Sequence, residues 1–339
     1  MIHLSMKFPR LLKLRRLSAL ILLLSFGKLQ GFGLRSPCVT SRAEWHVKKR
    51  PCCCNRHVSV FGVSSNPTLV GGNARAVSPG VHVTVGGRAL NFVGLWFGLM
   101  TFFWAFAVYP VLLLAWMYSA VFDRHRYSAV DWTIHWWAKA TMLCCFTKPR
   151  VSGLHNLEGV GRTEPIMFIP NHSSFLDIFT LSGFVPRRLK YVSKIEILRV
   201  PLIGWAMQMA RHIAIRRSDR RSQMQTFKDA VDSLKAGNGI VTFAEGTRSP
   251  DGKLRTFKKG PFKMTSKAKC RIVPVSICDM HRWMPANTAL LPLAFPGRAG
   301  EIKIHPPVDT HGRDEEEVLT AVFDAINSGL PDFQKSARS

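Results

Sequence analysis

Asn171-His172-Ser173-Ser174-Phe175-Leu176-Asp177 sets an imidazole and a carboxylate five residues apart, where the apolar run Ile166-Met167-Phe168-Ile169 gives way to polar residues. Such a pair can do general-base chemistry. The carboxylate accepts from one ring nitrogen and fixes the tautomer, and the other nitrogen is left to take a proton. The spacing works only if the chain turns before the helix, because five residues of continuous helix rotate side chains by about 500° and separate them. Ser174 followed by Asp177 has the form of a capping box with Asp in place of Glu. That would put His172 in the turn before a helix and Asp177 in its first turn. The competing reading is an Asp that only caps the helix, and spacing alone does not choose between them.

A second polar constellation follows a second apolar run. Gly239-Ile240-Val241-Thr242-Phe243 reads as a buried strand, and Ala244-Glu245-Gly246-Thr247-Arg248-Ser249 lies at its C-terminal end. Ligands in open α/β sheets gather at that edge. Gly246 allows close backbone approach, Thr247 and Ser249 offer hydroxyls, and Arg248 offers a planar fork matched to phosphate oxygens. The alternative is a polar loop in which Arg248 pairs with Glu245.

Short β-rich runs alternate with helical stretches beyond Pro149. The strands expected are Pro165–Pro170, Leu189–Ser193, His212–Arg216, Gly239–Phe243, Arg271–Ile277 and Glu301–His305. The helices expected are Ser174–Gly183, Pro201–Arg211, Arg221–Ala236 and Asp314–Ser328. In the last, Val318, Leu319, Val322, Phe323 and Ile326 recur at helical spacing and mark a core face. This alternation predicts an α/β fold, a mostly parallel central sheet flanked by helices. A membrane-embedded helical segment precedes it. Ala89 to Phe122 holds no charged residue. As one helix these 34 residues would be about 51 Å long against a hydrocarbon core of about 30 Å. Either one tilted span uses part of the run, or two helices break near Tyr109-Pro110 and lie in one leaflet. A further helix over 129–146, with Trp132, Trp136, Trp137 and Lys139, suits the membrane interface.

The net charge of +26 is uneven: residues 1–90 carry 14 Lys/Arg and one acid, Glu44. Such a surplus favours anionic partners. A nucleic-acid-binding protein tethered to a membrane would interleave its basic residues with aromatics on one face. Here much of the surplus sits in the leader, so no nucleic-acid partner is expected. Basic residues 7–16 precede the ten-residue apolar run Leu17–Phe26, a signal-peptide layout too short to span a bilayer. Residues 32–88 are rich in Arg, Ser, Val and Gly and nearly free of acid, like a transit peptide. The adjacent cysteines 52–54 lack metal-ligand spacing, the pair Cys144-Cys145 follows a hydrophobic region and carries a weak palmitoylation signal, and no metal site or cofactor is expected.

The chain resembles the lysophosphatidic acid acyltransferases (1-acyl-sn-glycerol-3-phosphate acyltransferases), plastid-type, over roughly residues 90–330. Asn171, His172, Ser174 and Asp177 match N-H-x-S-x-x-D. Lys194, Glu196, Pro201, Gly204 and Trp205 match K-x-E…P-x-x-G-W, and Phe243, Glu245, Gly246, Thr247, Arg248 and Ser249 match F-P-E-G-T-R-S. Val273-Pro274-Val275 matches V-P-V. Ala244 stands where the family usually has Pro, and Arg216-Arg217 where it often has Asp-Arg. The resemblance implies acyl transfer from a thioester, on CoA or acyl-carrier protein, to the sn-2 hydroxyl of lysophosphatidic acid. His172 would be the base and Asp177 its partner, with no covalent acyl-enzyme. Lys194, Arg217, Glu245, Gly246, Thr247 and Arg248 would bind substrate. A related acyltransferase acting on glycerol 3-phosphate or another lysophospholipid is the alternative.

Four segments are then expected: 1–31 as signal peptide, 32–88 as basic leader, 89–148 as membrane-associated helices and 149–339 as the acyltransferase domain. A signal peptide followed by a transit-like stretch, with Phe32 just after Gly31, resembles the bipartite presequence of algae with complex plastids. That implies a plastid membrane, with the endoplasmic reticulum as the alternative.

Overall fold

The computed structural model of the chain describes residues 82–85, 88–216, 219–286, 292–294, 297 and 300–336. It opens with an antiparallel hairpin, β1 (His82–Val85) and β2 (Arg88–Asn91), which straddles the boundary expected at residue 88. The expected signal peptide, the leader up to residue 81 and cysteines 52–54 lie outside the described residues.

Asn91 then caps α1 (Phe92–Phe122), its side-chain oxygen accepting from the Gly94 N–H at 2.9 Å. The helix is continuous for 31 residues, so of the two arrangements expected the broken one is not formed. Pro110 removes one hydrogen bond from the helix interior, too little here to divide it. Only one edge of α1 is buried: Leu95 is 66% exposed, Phe106 75% and Leu114 66%. An apolar surface of this extent on a single helix calls for a non-aqueous neighbour. The buried edge lies on α2 (Ser128–Cys144). There the Trp137 indole N–H donates to Thr101 O at 3.1 Å and that of Trp96 to Cys144 O at 3.0 Å.

Seven strands build the sheet below these helices. They are β3 (Arg150–Ser152), β4 (Ile166–Pro170), β5 (Leu189–Lys194), β6 (Ile213–Ile215), β7 (Gly239–Val241), β8 (Arg271–Cys278) and β9 (Glu301–Ile304). Their order across the sheet is β3-β9-β8-β4-β7-β5-β6. The five strands from β8 to β6 are mutually parallel, and β9 runs antiparallel to β8, with β3 parallel to β9.

Both faces are covered. In β4, Ile166 and Phe168 join the core under α2 and α3 (Leu176–Phe184), while Met167 and Ile169 point into the core on the opposite face. That second core is closed by α5 (Arg220–Lys235), α6 (Gly260–Ala268) and α8 (Glu315–Gly329), after the short α4 (Ile203–Met209) and before which α7 (Met280–Trp283) follows β8. Burial on both sides is why these strands read as continuous apolar runs rather than alternating ones.

The helix pair is locked to the sheet by a buried ion pair. Lys190 Nζ on β5 lies 3.0 Å from Asp131 Oδ2 on α2 and donates to Ala210 O at 2.7 Å. Close packing does the rest: a Cβ on Gly183 of α3 would sit 2.9 Å from the Lys139 nitrogen of α2.

Candidate active site

The parallel strands β4, β7 and β5 end side by side, and their C-terminal ends supply the polar residues. After β4 the chain turns sharply. Asn171 holds the turn by bonding both main-chain groups of Ile277: its Nδ2 donates to the carbonyl at 3.0 Å, and its Oδ1 accepts from the N–H at 2.7 Å. Ser174 Oγ accepts from the Leu176 N–H at 3.1 Å and donates to Met284 O at 2.8 Å. Asp177 in the first turn of α3 reaches back, its Oδ2 accepting from the Ser173 and Ser174 N–H groups at 2.9 and 2.8 Å. The expected cap is thus half realised. The acid returns to Ser174 as in a capping box, whereas the serine hydroxyl serves Leu176 instead of residue 177.

The same Asp177 oxygen lies 3.0 Å from His172 Nδ1. Asp177 is fully buried, and the imidazole is slightly exposed, stacked on Phe243 with ring centroids 3.8 Å apart. Phe243 covers one face of the ring and Asp177 engages Nδ1, an arrangement in which Nε2 can accept a proton.

Glu245 meets the histidine from another direction. Its Oε1 accepts from the His172 main-chain N–H at 2.7 Å, and its Oε2 accepts from the Arg255 N–H at 3.3 Å. Burial, with a smaller push from Asp177 nearby, raises the Glu245 carboxyl to about 8 despite these two donors. The loop is laced to the histidine once more where the Ser249 N–H donates to His172 O at 2.8 Å. Gly246, at φ 76°, makes the turn between them, and its N–H closes onto Phe243 O at 3.0 Å. A β-carbon is disfavoured at that angle.

Arg248 does not pair with Glu245. Among the described residues its guanidinium has no carboxylate partner, and its Nη1 is buried without an acceptor. A buried, unsatisfied, permanently charged donor is costly unless a ligand completes it. Thr247 is exposed beside it. Lys194 ends β5 at the same sheet edge with its side chain exposed. Arg217 lies outside the described residues.

His172, Asp177, Glu245, Gly246 and Arg248 therefore meet at one edge, with Lys194 at the end of a neighbouring strand. One residue escaped the sequence reading. Lys258 packs over Gly246 from the far side of the loop, and a Cβ on that glycine would sit 2.7 Å from Lys258 Cε. In Thr256-Phe257-Lys258-Lys259-Gly260 it resembles any solvated charge, and only the folded strap brings it to the turn.

Known proteins resemble this chain in sequence and in fold. Residues 148–278 match the family model described as Acyltransferase. The chain is 32% identical over 237 residues to a 1-acyl-sn-glycerol-3-phosphate acyltransferase of Chlamydomonas reinhardtii, covering 69% of each. It is 34% identical over 178 residues to a chloroplastic 1-acyl-sn-glycerol-3-phosphate acyltransferase of Arabidopsis thaliana, covering 52% of this chain and 49% of that one. The match to a chloroplastic relative of Brassica napus covers 56% of its length, so the chain spans about half of these two plant proteins. The crystal structure of the 1-acyl-sn-glycerophosphate acyltransferase from Thermotoga maritima superposes with a TM-score of 0.60 at 27% identity, over 70% of this chain and 92% of that one. With the motifs in one order and the fold shared, the chain belongs to the 1-acyl-sn-glycerol-3-phosphate acyltransferase family.

Proposed function

We propose that the protein transfers an acyl group from a thioester to the sn-2 hydroxyl of 1-acyl-sn-glycerol 3-phosphate, giving phosphatidic acid. The observation that carries this is the 3.0 Å contact between His172 Nδ1 and the buried Asp177. His172 Nε2 takes the hydroxyl proton as the oxygen attacks the thioester carbonyl carbon. Asp177 stabilises the imidazolium so formed. The tetrahedral intermediate collapses, the carbon–sulfur bond breaks, and the departing sulfur receives the proton from His172, giving an ester and a free thiol. The attacking group belongs to the acceptor, so no acyl-enzyme forms. Arg248, with Lys194 and Arg217, binds the acceptor phosphate, and Gly246 and Thr247 shape the turn around it.

The exposed apolar surface of α1 supports a membrane-bound enzyme, which keeps the site where a lysolipid resides. The chloroplastic relatives support a plastid location. Carrier-protein thioesters are the donors expected there, and acyl-CoA the donor of an enzyme at the endoplasmic reticulum.

The test is turnover by purified protein in lipid vesicles. Lysophosphatidic acid, glycerol 3-phosphate and lysophosphatidylcholine are offered as acceptors, each with acyl-CoA and with acyl-carrier protein. Phosphatidic acid is expected as the product. Turnover of another acceptor without lysophosphatidic acid would overturn the assignment.

A further inference from the structure

We propose that Lys258 is an acceptor-binding residue. With Arg248 it forms a two-cation seat for the phosphate monoester of the lysolipid, an inference that rests on the reaction assigned above. The strap that carries Lys258 is held by three main-chain N–H donors, two of them to the Glu245 turn and one to the C-terminal segment. The Lys258 N–H donates to Ala244 O at 2.9 Å, the Arg255 N–H to Glu245 Oε2 at 3.3 Å, and the Leu254 N–H to Gln334 O at 2.8 Å. The side chain then folds over Gly246, where an added Cβ would lie 2.8 Å from Nζ. The missing side chain at Gly246 therefore makes the space that the ammonium occupies.

Charge balance on this turn is incomplete. Lys259 is matched by Glu316 at 2.5 Å, whereas Lys258 has no carboxylate partner among the described residues. Arg248 has none either, and its Nη1 is buried without an acceptor. Glu245, three residues before Arg248, has both oxygens engaged by main-chain N–H groups, and burial holds it up at about 8. The exposed Lys258 ammonium over Gly246 and the Arg248 guanidinium two residues further on thus border one turn, and a dianion bound between them would be attracted to both. A phosphate monoester supplies up to two charges and three free oxygens, so the guanidinium can take two oxygens and leave one for the ammonium. A phosphodiester headgroup has one charge and only two free oxygens. The seat thus favours lysophosphatidic acid over lysolipids with larger headgroups.

The test uses the full chain in lipid vesicles. In Lys258→Met the acceptor KM should rise about tenfold, the scale of one charge-assisted hydrogen bond. The donor KM and kcat should be little changed, and Lys258→Arg should recover most of the loss. A second measurement separates this inference from the reaction itself. Glycerol 3-phosphate, the headgroup alone, is titrated into His172→Ala protein with and without Lys258→Met, and a melting curve verifies folding. A weaker affinity in the double variant is expected. An unchanged affinity overturns the seat whatever acceptor the wild type acylates. A weakened affinity in a protein whose wild type ignores lysophosphatidic acid keeps the seat and overturns the reaction. If Lys258→Met melts without cooperativity, Lys258→Gln takes its place with the same expected outcomes.

Discussion

His172 and Glu245, 73 residues apart in the chain, are joined at 2.7 Å by the main-chain N–H of one and the carboxyl of the other. Two segments that end different strands thereby become one rigid loop pair. The bond uses the backbone of His172, so Glu245 fixes where the imidazole stands without touching the ring nitrogens. Glu245 then has no oxygen that is free of a main-chain donor, which makes it a positioning residue in this state of the site.

Its titration gives the first prediction. Glu245 moves from an ordinary 4.5 to about 8, chiefly through burial. Below about pH 4.5 the folded and unfolded chains both hold this proton. Between there and about pH 8 only the folded chain does, so this group lowers stability as pH rises through the window and adds no further slope above it. Melting temperatures from pH 5 to 9 should therefore fall less in Glu245→Gln than in wild type. Parallel curves would mean that Glu245 titrates normally. Glu245→Ala should be worse than Gln, because the part-buried His172 N–H loses its acceptor, at a cost of about 1 kcal/mol or more.

The proposed catalytic pair, His172 and Asp177, makes a sharper claim. His172→Ala should lower kcat by a factor of about 10² to 10⁴, the usual yield of a positioned base, and leave vesicle binding intact. Asp177→Asn should be similarly severe. An amide turned the wrong way donates to Nδ1, moves the ring proton to Nε2 and removes the base. It also withdraws the acceptor shared by Ser173 and Ser174. Steady-state rates in parallel with a flotation assay check this. A His172→Ala enzyme retaining more than about a tenth of wild-type turnover is incompatible with general-base catalysis here.

Much of this arrangement was legible in the sequence, and the omissions have physical causes. The apolar runs of β4, β7 and β8 stand out because both faces of those strands are buried. β3 was missed because three residues carry too little pattern. α6 was missed although Gly260-Pro261 at its start was a usable signal, since proline is favoured in a helix's first turn. At the site, the His172 and Asp177 types and spacing were readable locally. The Glu245 contact was not, because a carboxyl directed at a distant main-chain N–H leaves no periodicity. Lys258 was hidden for the same reason, being brought to the site only by the room that Gly246 leaves for its side chain.

The buried pair between α2 and β5 predicts an asymmetry between single and double variants. Asp131→Ala leaves the Lys190 ammonium, itself almost fully buried, with Ala210 O as its remaining partner. Removing one member of such a pair should cost about 3–5 kcal/mol. Replacing both, as Asp131→Leu with Lys190→Met, should cost much less, because no charge is then stranded. Chemical unfolding of wild type, Asp131→Leu, Lys190→Met and the double variant gives the coupling directly. Equal losses in the single and double variants would remove the pair's role in locking α2 to the sheet.

Arg248→Lys tests the phosphate role against simple loop support. The guanidinium carries a buried Nη1 with no acceptor among the described residues and no salt bridge to Glu245, so its folded state is incomplete without a ligand. Arg presents two parallel donors in one plane, which two phosphate oxygens match, whereas Lys offers a point charge. The swap keeps the charge and removes the fork. One lost charge-assisted hydrogen bond should weaken the acceptor by about 1.5–3 kcal/mol, or one to two decades. The donor's acyl chain and thioester make no demand on that fork, so the donor KM should hold. The melting temperature should hold or rise, because no native partner is lost and a buried unsatisfied donor is removed. If Arg248 instead only braces the loop, stability should drop and both substrates should weaken together. Kinetics with each substrate varied in turn, beside a melting curve, distinguish the two. An unchanged acceptor KM in a normally melting Arg248→Lys enzyme would rule out the phosphate contact, because the fork is the one feature that the substitution takes away.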